Sequence, residues 1–171
     1  MQSFEKMRIV ILAGGLGTRM KSKLPKVLIP LSGIPLIQHL LDSVEQATID
    51  KRPIVVVGYG RDKVVKELGD KYQYAVQEEQ LGTGHAVLAA KTACGDAENV
   101  MVLYADHPLI TPNTIKKLAE KHLRAGSKIT MATATVPDFS EWRNFLYTNF
   151  SRIVRNENGE IVKDIQFRDA T

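Results

Sequence analysis

Three short stretches of this chain are apolar without a break: Ile9, Val10, Ile11 and Leu12 behind Arg8, then Ile54, Val55, Val56 and Val57, then Val100, Met101, Val102, Leu103 and Tyr104. Each stops abruptly, the first at Gly14-Gly15, the second at Gly58-Tyr59-Gly60 and the third at Ala105-Asp106. Runs of four or five β-branched and aliphatic residues closed by turn residues read as strands. The missing alternation carries a second constraint, because a strand with no polar side is covered on both faces. The chain therefore needs a parallel sheet with a layer of helices on either side.

The segments between the runs have the spacing that such layers require. Leu36, Ile37, Leu40, Leu41, Val44 and Ala47 form one stripe opposite Gln38, Asp42, Ser43 and Glu45, with Pro35 placed for the first turn. Thr111-Pro112 repeats the start signal as a cap followed by a first-turn proline, and Ile115, Leu118, Ala119 and Leu123 supply the stripe as far as Gly126. Shorter helices are expected over 61–68, ending at Gly69, and over 83–93. Alternating strands and helices make this an α/β chain. Beyond residue 135 the texture changes: 136–150 is aromatic and irregular, and 152–154 with 161–167 flank an Asn158-Gly159 pair, a hairpin signal. With no repeat and no low-complexity linker, residues 1–171 read as a single domain.

Composition removes several function classes. Lys plus Arg number 23 against 19 Asp plus Glu, a net charge of +4, and no basic stripe interleaves with aromatics, so a nucleic-acid partner is not expected. One cysteine, Cys94, excludes an internal disulfide and a multi-thiolate metal site, which favours a reducing, cytoplasmic setting. The apolar run after Glu5, Lys6 and Arg8 is too short for a signal peptide, and no later stretch is long enough to cross a bilayer, so no membrane partner is expected.

The first strand runs into Leu12-Ala13-Gly14-Gly15-Leu16-Gly17-Thr18-Arg19-Met20. Glycines permit positive φ and close approach of backbone N–H groups to an anion, so the loop can wrap phosphates or simply turn. Two familiar templates fail: Met20 stands where a Walker A loop needs glycine before Lys21-Ser22, and where a dinucleotide fingerprint starting at Gly15 needs glycine or alanine. Arg19 and Lys26, the latter within Leu24-Pro25-Lys26-Val27-Leu28, add two cations of different geometry near a strand's carboxyl end, which suits a polyphosphate. Asp106 closes the third strand, where a hard carboxylate can bind Mg²⁺ or cap the turn before Pro108. His85 and His107 lack partners at metal-ligand spacing and read as packing or hydrogen-bonding residues, and Cys94 lacks a nucleophile motif.

The glycine loop with Leu24-Pro25-Lys26-Val27-Leu28 resembles the N-terminal signature of sugar-1-phosphate nucleotidyltransferases. Three further blocks, Gln77-Glu78-Glu79-Gln80-Leu81-Gly82-Thr83-Gly84-His85-Ala86-Val87, Tyr104-Ala105-Asp106-His107-Pro108-Leu109-Ile110, and Arg152-Ile153-Val154-Arg155 ahead of Asp169-Ala170-Thr171, resemble the bacterial N-acetylglucosamine-1-phosphate uridylyltransferase domain. Order and spacing agree over nearly the whole chain.

The resemblance implies a Rossmann-like, GT-A-like three-layer α/β fold, a mostly parallel sheet with helices on both faces and a C-terminal hairpin. It implies UTP and a sugar-1-phosphate as substrates, Mg²⁺ as cofactor, and a UDP-sugar with pyrophosphate as products. Nucleotide contacts fall on Leu12, Ala13, Gly14, Gly15, Gly17 and Thr18. Arg19 and Lys26 face the phosphates, Gln77 with Gly82 and Thr83 recognises uracil, and Asp106 holds the metal. A carboxamide suits a pyrimidine edge because it both donates and accepts; read without the resemblance, Gln77 is a polar residue at a strand end. Sugar contacts fall on Tyr104, Ala105, Ser151 and Gln166. Two of these depart from the family: Ser151 stands at a sugar-contacting glycine, and Gln166 near a sugar-binding glutamate. The family's catalytic domain also continues past its Asp-Ala-Thr block, so the chain is expected to be truncated relative to it, to lack an acetyltransferase half, and to complete its site through an oligomer or a missing region. The alternatives are a related transferase with another sugar phosphate or NTP, and a nucleotide-binding module without full activity.

Overall fold

The computed structural model describes residues 4–17, 20–22, 24–166 and 169. In chain order it has β1 (Met7–Leu12), the two-residue strands β2 (Pro30–Leu31) and β3 (Ile34–Pro35), α1 (Leu36–Ala47), β4 (Ile54–Val57), α2 (Arg61–Leu68) and β5 (Gln73–Val76). There follow α3 (Thr83–Ala89), α4 (Lys91–Cys94), β6 (Asn99–Tyr104), α5 (Pro112–Ala125), α6 (Asn144–Asn149), β7 (Arg152–Arg155) and β8 (Ile161–Ile165). The chain divides into two compact units, one ending at Thr130 and the other beginning at Met131.

In the first unit the three apolar runs are β1, β4 and β6. They pair in parallel with β5 in the order β5-β4-β1-β6. Because side chains alternate along a strand, β1 and β4 each feed two cores, while β6 feeds one, through Met101 and Leu103. Ile9, Ile11, Val55, Val57, Met101 and Leu103 pack with α1, α2 and α5 through residues such as Leu40, Val64 and Ile115. Val10, Ile54, Val56 and Ala75 face the other way, against Ala86 of α3 and Ala90 beyond its end. The expected parallel sheet with helices on both faces is the observed one; double coverage explains the missing alternation of β1 and β4, whereas β6 is an edge strand with Val100 and Tyr104 exposed.

The helix ends follow local chemistry. All five stripe residues Ile37, Leu40, Leu41, Val44 and Ala47 of α1 are buried, and the helix stops where Thr48 turns left-handed at φ 54°. Pro35 stands one residue outside the expected first turn: it pairs with Pro30 in the β2–β3 ladder and keeps an extended ψ of 139°. Thr111 caps α5 by accepting the Thr114 N–H through its hydroxyl at 3.2 Å, and Gly126 ends that helix at φ 58°. α2 ends at Gly69 as expected. The helix expected over 83–93 is two, α3 and α4, divided at buried Ala90. No helix of the described residues is long and apolar enough to cross a membrane.

The second unit is built differently. Asp138 accepts the Ser140 N–H and hydroxyl and the Arg143 guanidinium ahead of α6. β7 and β8 form the expected antiparallel hairpin. Its loop is tied by Glu160 N donating to the Asn156 side chain at 2.9 Å and turned by Gly159 at φ 81°. None of its described residues is buried.

Candidate active site

The chain adds strands on one side of β1 (β4, then β5) and then crosses to the other side with β6. In open parallel sheets such a reversal of strand order leaves a crevice beyond the carboxyl ends of the strands. A cleft of about 260 Å³ lies there. Leu12, Gly14 and Gly15 contribute from the end of β1, Gln77 and Gln80 follow β5, and Tyr104 and Asp106 come from the end of β6. Lys26 and Val27 supply one further stretch, and Gly82, Thr83 and Ala86 another.

The glycines are required by contact as well as by conformation. Gly14 and Gly58, in the loops after β1 and β4, approach so closely that a Cβ on Gly58 would sit 2.9 Å from the Gly14 carbonyl oxygen. Gly17 has φ +60°, and a Cβ there would lie 2.7 Å from Lys26 Cβ, so this residue lets the Lys26 segment rest against the loop. Lys26 opens a 3-10 turn, Lys26–Leu28, whose Val27 and Leu28 are buried as anchors.

The Lys26 ammonium stands 2.5 Å from the Asp106 carboxylate. Asp106 is fixed from behind, because the preceding Ala105 is fully buried and its N–H donates to the Leu12 carbonyl at 3.1 Å. Burial pushes the Asp106 carboxyl upward, but the hydrogen bond and charge of Lys26, with His107 adding a smaller share, hold it below the usual carboxylate range. His107 lies beside the Tyr104 ring, centroids 5.3 Å apart. The cleft thus holds a matched cation and anion, neither fully buried, each able to exchange its partner for a ligand group.

Gln77 is only 5% exposed. Its backbone N–H donates to Val57 and extends the ladder by one bond. Its side-chain Nε2 donates to the Gly82 carbonyl at 3.2 Å and lies 3.3 Å from His85 Nδ1. A Cβ on Gly14 would fall 3.1 Å from its Oε1, so the carboxamide presses on the glycine loop.

Of the residues singled out in the sequence, the cleft gathers Leu12, Gly14, Gly15, Lys26, Gln77, Gly82, Thr83, Tyr104 and Asp106. Ala13 and Ala105 are buried in the main core cluster and are not among its lining residues. Thr18 and Arg19 lie outside the described residues. Ser151 and Gln166 are exposed residues of the second unit. Val27, Gln80 and Ala86 line the cleft without having been singled out, although each lies inside a motif already quoted. Burial raises the Cys94 thiol, opposite to what a nucleophile needs.

The described residues contain no group of three His, Cys, Asp or Glu that could cage a metal. Mg²⁺ does not need one, since it keeps waters and takes one or two carboxylates together with substrate phosphates. The Asp106 carboxylate in a cleft open to solvent fits that mode.

A family model described as a MobA-like NTP transferase domain matches residues 9–148. The protein named "Bifunctional protein GlmU" from Bacillus licheniformis is 40% identical over 168 residues, 98% of this chain and 35% of that protein. Its namesake from Geobacillus thermodenitrificans is 44% identical over 166 residues, 96% of this chain and 34% of that protein. The chain thus spans about a third of the length of these curated relatives. Among solved structures, HddC from Yersinia pseudotuberculosis superposes with a TM-score of 0.68 at 24% identity, covering 93% of this chain and 68% of that one. A CMP:2-keto-3-deoxy-manno-octonic acid synthetase complexed with CTP gives 0.65 at 23% identity, covering 94% and 64%. At such identities these two likenesses bear on the fold, a Rossmann-like α/β arrangement.

Proposed function

The chain belongs to the MobA-like NTP transferase domain family, and from that premise we propose that it is a uridylyltransferase domain that forms UDP-N-acetylglucosamine and pyrophosphate from UTP and N-acetylglucosamine-1-phosphate in the cytoplasm. The observation that carries this reading is the Lys26–Asp106 pair, held at 2.5 Å in the same cleft as the glycine loop and Gln77. Similarity to proteins named "Bifunctional protein GlmU" supports it.

In this reading the backbone of Gly14 and Gly15 approaches the nucleotide closely, which a side chain would prevent. Gln77, with Gly82 and Thr83, meets the base. A phosphate oxygen of the sugar phosphate attacks the α-phosphorus of UTP, one P–O bond forms, the bond to the β-phosphate bridge breaks, and pyrophosphate leaves. Such transfer depends on positioning and charge neutralisation, so no protein nucleophile is needed. Lys26 leaves Asp106 for the triphosphate and stabilises charge as it develops. Arg19 serves the phosphates as a second cation. Asp106 would hold Mg²⁺, which when bound draws charge from the phosphate oxygens. Tyr104 is the sugar-side residue that the cleft contains; Ala105, Ser151 and Gln166 keep the sugar assignment that the resemblance gives them.

The test is pyrophosphate release measured with UTP, CTP, ATP and GTP against several sugar-1-phosphates, with and without Mg²⁺. Release confined to UTP, N-acetylglucosamine-1-phosphate and Mg²⁺ is expected. UTP binding without release identifies a nucleotide-binding module, and no response to any nucleotide removes the reading.

A further inference from the structure

We infer that His85 sets the orientation of the Gln77 carboxamide, so that the cleft offers an acceptor to the base and selects uridine over cytidine nucleotides. The inference rests on the reading of Gln77 as the residue that meets the base. A buried carboxamide has two orientations that differ only in which end donates. The Gly82 carbonyl, 3.2 Å from Nε2, can only accept, so it takes one amide proton. The second neighbour of Nε2 is His85 Nδ1 at 3.3 Å, which accepts the other proton only when the ring carries its own proton on Nε2. In that tautomer both neighbours are acceptors and both amide protons are used.

The reversed orientation would set Gln77 Oε1 against two acceptors in a buried place, the Gly82 carbonyl oxygen and His85 Nδ1. With Nε2 engaged, Oε1 is the end turned to the glycine loop, 3.1 Å from where a Cβ on Gly14 would lie. A base arriving there meets a carbonyl oxygen. The N3–H of uracil can donate to it, whereas N3 of cytosine presents a lone pair and leaves both acceptors unpaired. His85 would then touch no substrate and act through Gln77, as a positioning residue.

The experiment compares dissociation constants for UTP and CTP, each with Mg²⁺, in one common buffer. The proteins are the wild type, His85→Leu and His85→Asn. Asparagine can place an amide oxygen near the position of Nδ1 and so keeps the acceptor. The wild type should prefer UTP. His85→Leu should lose about tenfold of that preference, by weaker UTP and tighter CTP binding, and His85→Asn should restore most of it. Long-range ¹H–¹⁵N spectra of the ligand-free wild type should show His85 protonated on Nε2 and bare on Nδ1. An unchanged UTP preference in His85→Leu, or an Nδ1–H tautomer, overturns the inference and leaves the reading of the cleft standing. A wild type that binds no UTP removes both.

Discussion

β1 and β8 are both rich in Ile and Val, and their fates are opposite. Ile9, Val10 and Ile11 are sealed between two layers of helices, whereas Ile161 and Val162 of β8 remain about half exposed, 45% and 53%. Both strands have their ladders, but a backbone hydrogen bond contributes only about 1 kcal/mol net, since water is displaced to make it. Burial separates the two cases, at roughly 25 cal/mol for each Å² of apolar surface removed from water. The difference extends to the chemistry. Gln77, Asp106 and the glycine loop follow strands of the sheet that the helices cover, while Ser151 and Gln166 belong to a unit held by surface hydrogen bonds.

The widest gap is expected in stability. Leu40→Ala should cost about 2–5 kcal/mol in urea unfolding, and Val162→Ala should stay within about 0.5 kcal/mol; equal costs would break the contrast between the units. Next comes activity. Lys26→Ala should lower UTP-dependent pyrophosphate release by about 10²–10³-fold with an unchanged circular dichroism spectrum, and Gln166→Ala by about tenfold or less, the worth of one hydrogen bond. Near-normal turnover in Lys26→Ala would remove that residue from its role.

A smaller effect separates two left-handed glycines. Gly60 has φ +68°, and a Cβ there would lie 2.6 Å from Pro25 Cγ, so Gly60→Ala combines strain with collision and should cost about 1–3 kcal/mol. Gly159 has φ +81° with nothing within 4 Å of a Cβ, so Gly159→Ala should cost only the conformational penalty, about 1–2 kcal/mol. Thermal melts of the two variants rank them directly.

The smallest expected effect is the pH dependence. Glu45 is held below its ordinary range, first by Lys71 at 2.7 Å, against burial, and then by the hydroxyl of buried Tyr72, also at 2.7 Å. A carboxyl with a lowered folded pKa contributes stability that is complete above the unfolded value and is lost as pH falls through the folded one. Glu45→Gln should therefore flatten the acid limb of the stability curve. Asp138, lowered by Ser140 and then Arg143 but on the exposed second unit, should give a weaker change as Asp138→Asn. If the second flattening exceeds the first, surface hydrogen bonding outweighs proximity to the core.

Legibility in the sequence follows the same division. β1 and β4 could be read because double coverage removes every polar interruption, β6 because its run stays apolar even at the sheet edge, and α5 because Thr111 and Pro112 announce it. β5 could not: Gln73, Tyr74, Ala75 and Val76 form an edge strand whose outward residues need not be apolar. At the site, the glycine loop, Lys26 and Asp106 carry local signals of charge and turn chemistry. The role of Ala105 is obscured by motif adjacency, since it sits between two cleft residues while its own side chain belongs to the core. The Gln77–His85 contact was illegible because it forms across the left-handed turn at Gly82, where sequence spacing alone does not bring a strand end and a helix start together.

The central place of β1 also bears on how the chain reaches its fold. It precedes the other strands of its sheet in the chain and has neighbours on both sides, yet Met7 pairs with Asn99 and Val10 with Ile54, so neither partner exists when it emerges. Until β6 has left the ribosome, this strand, with Ile9, Val10 and Ile11 fully buried in the finished sheet, has an unfilled edge. Such non-local parallel pairing folds slowly and leaves apolar surface open to association in the meantime. Yield in expression should therefore depend more on synthesis rate and chaperone supply than the stability of the finished sheet would indicate.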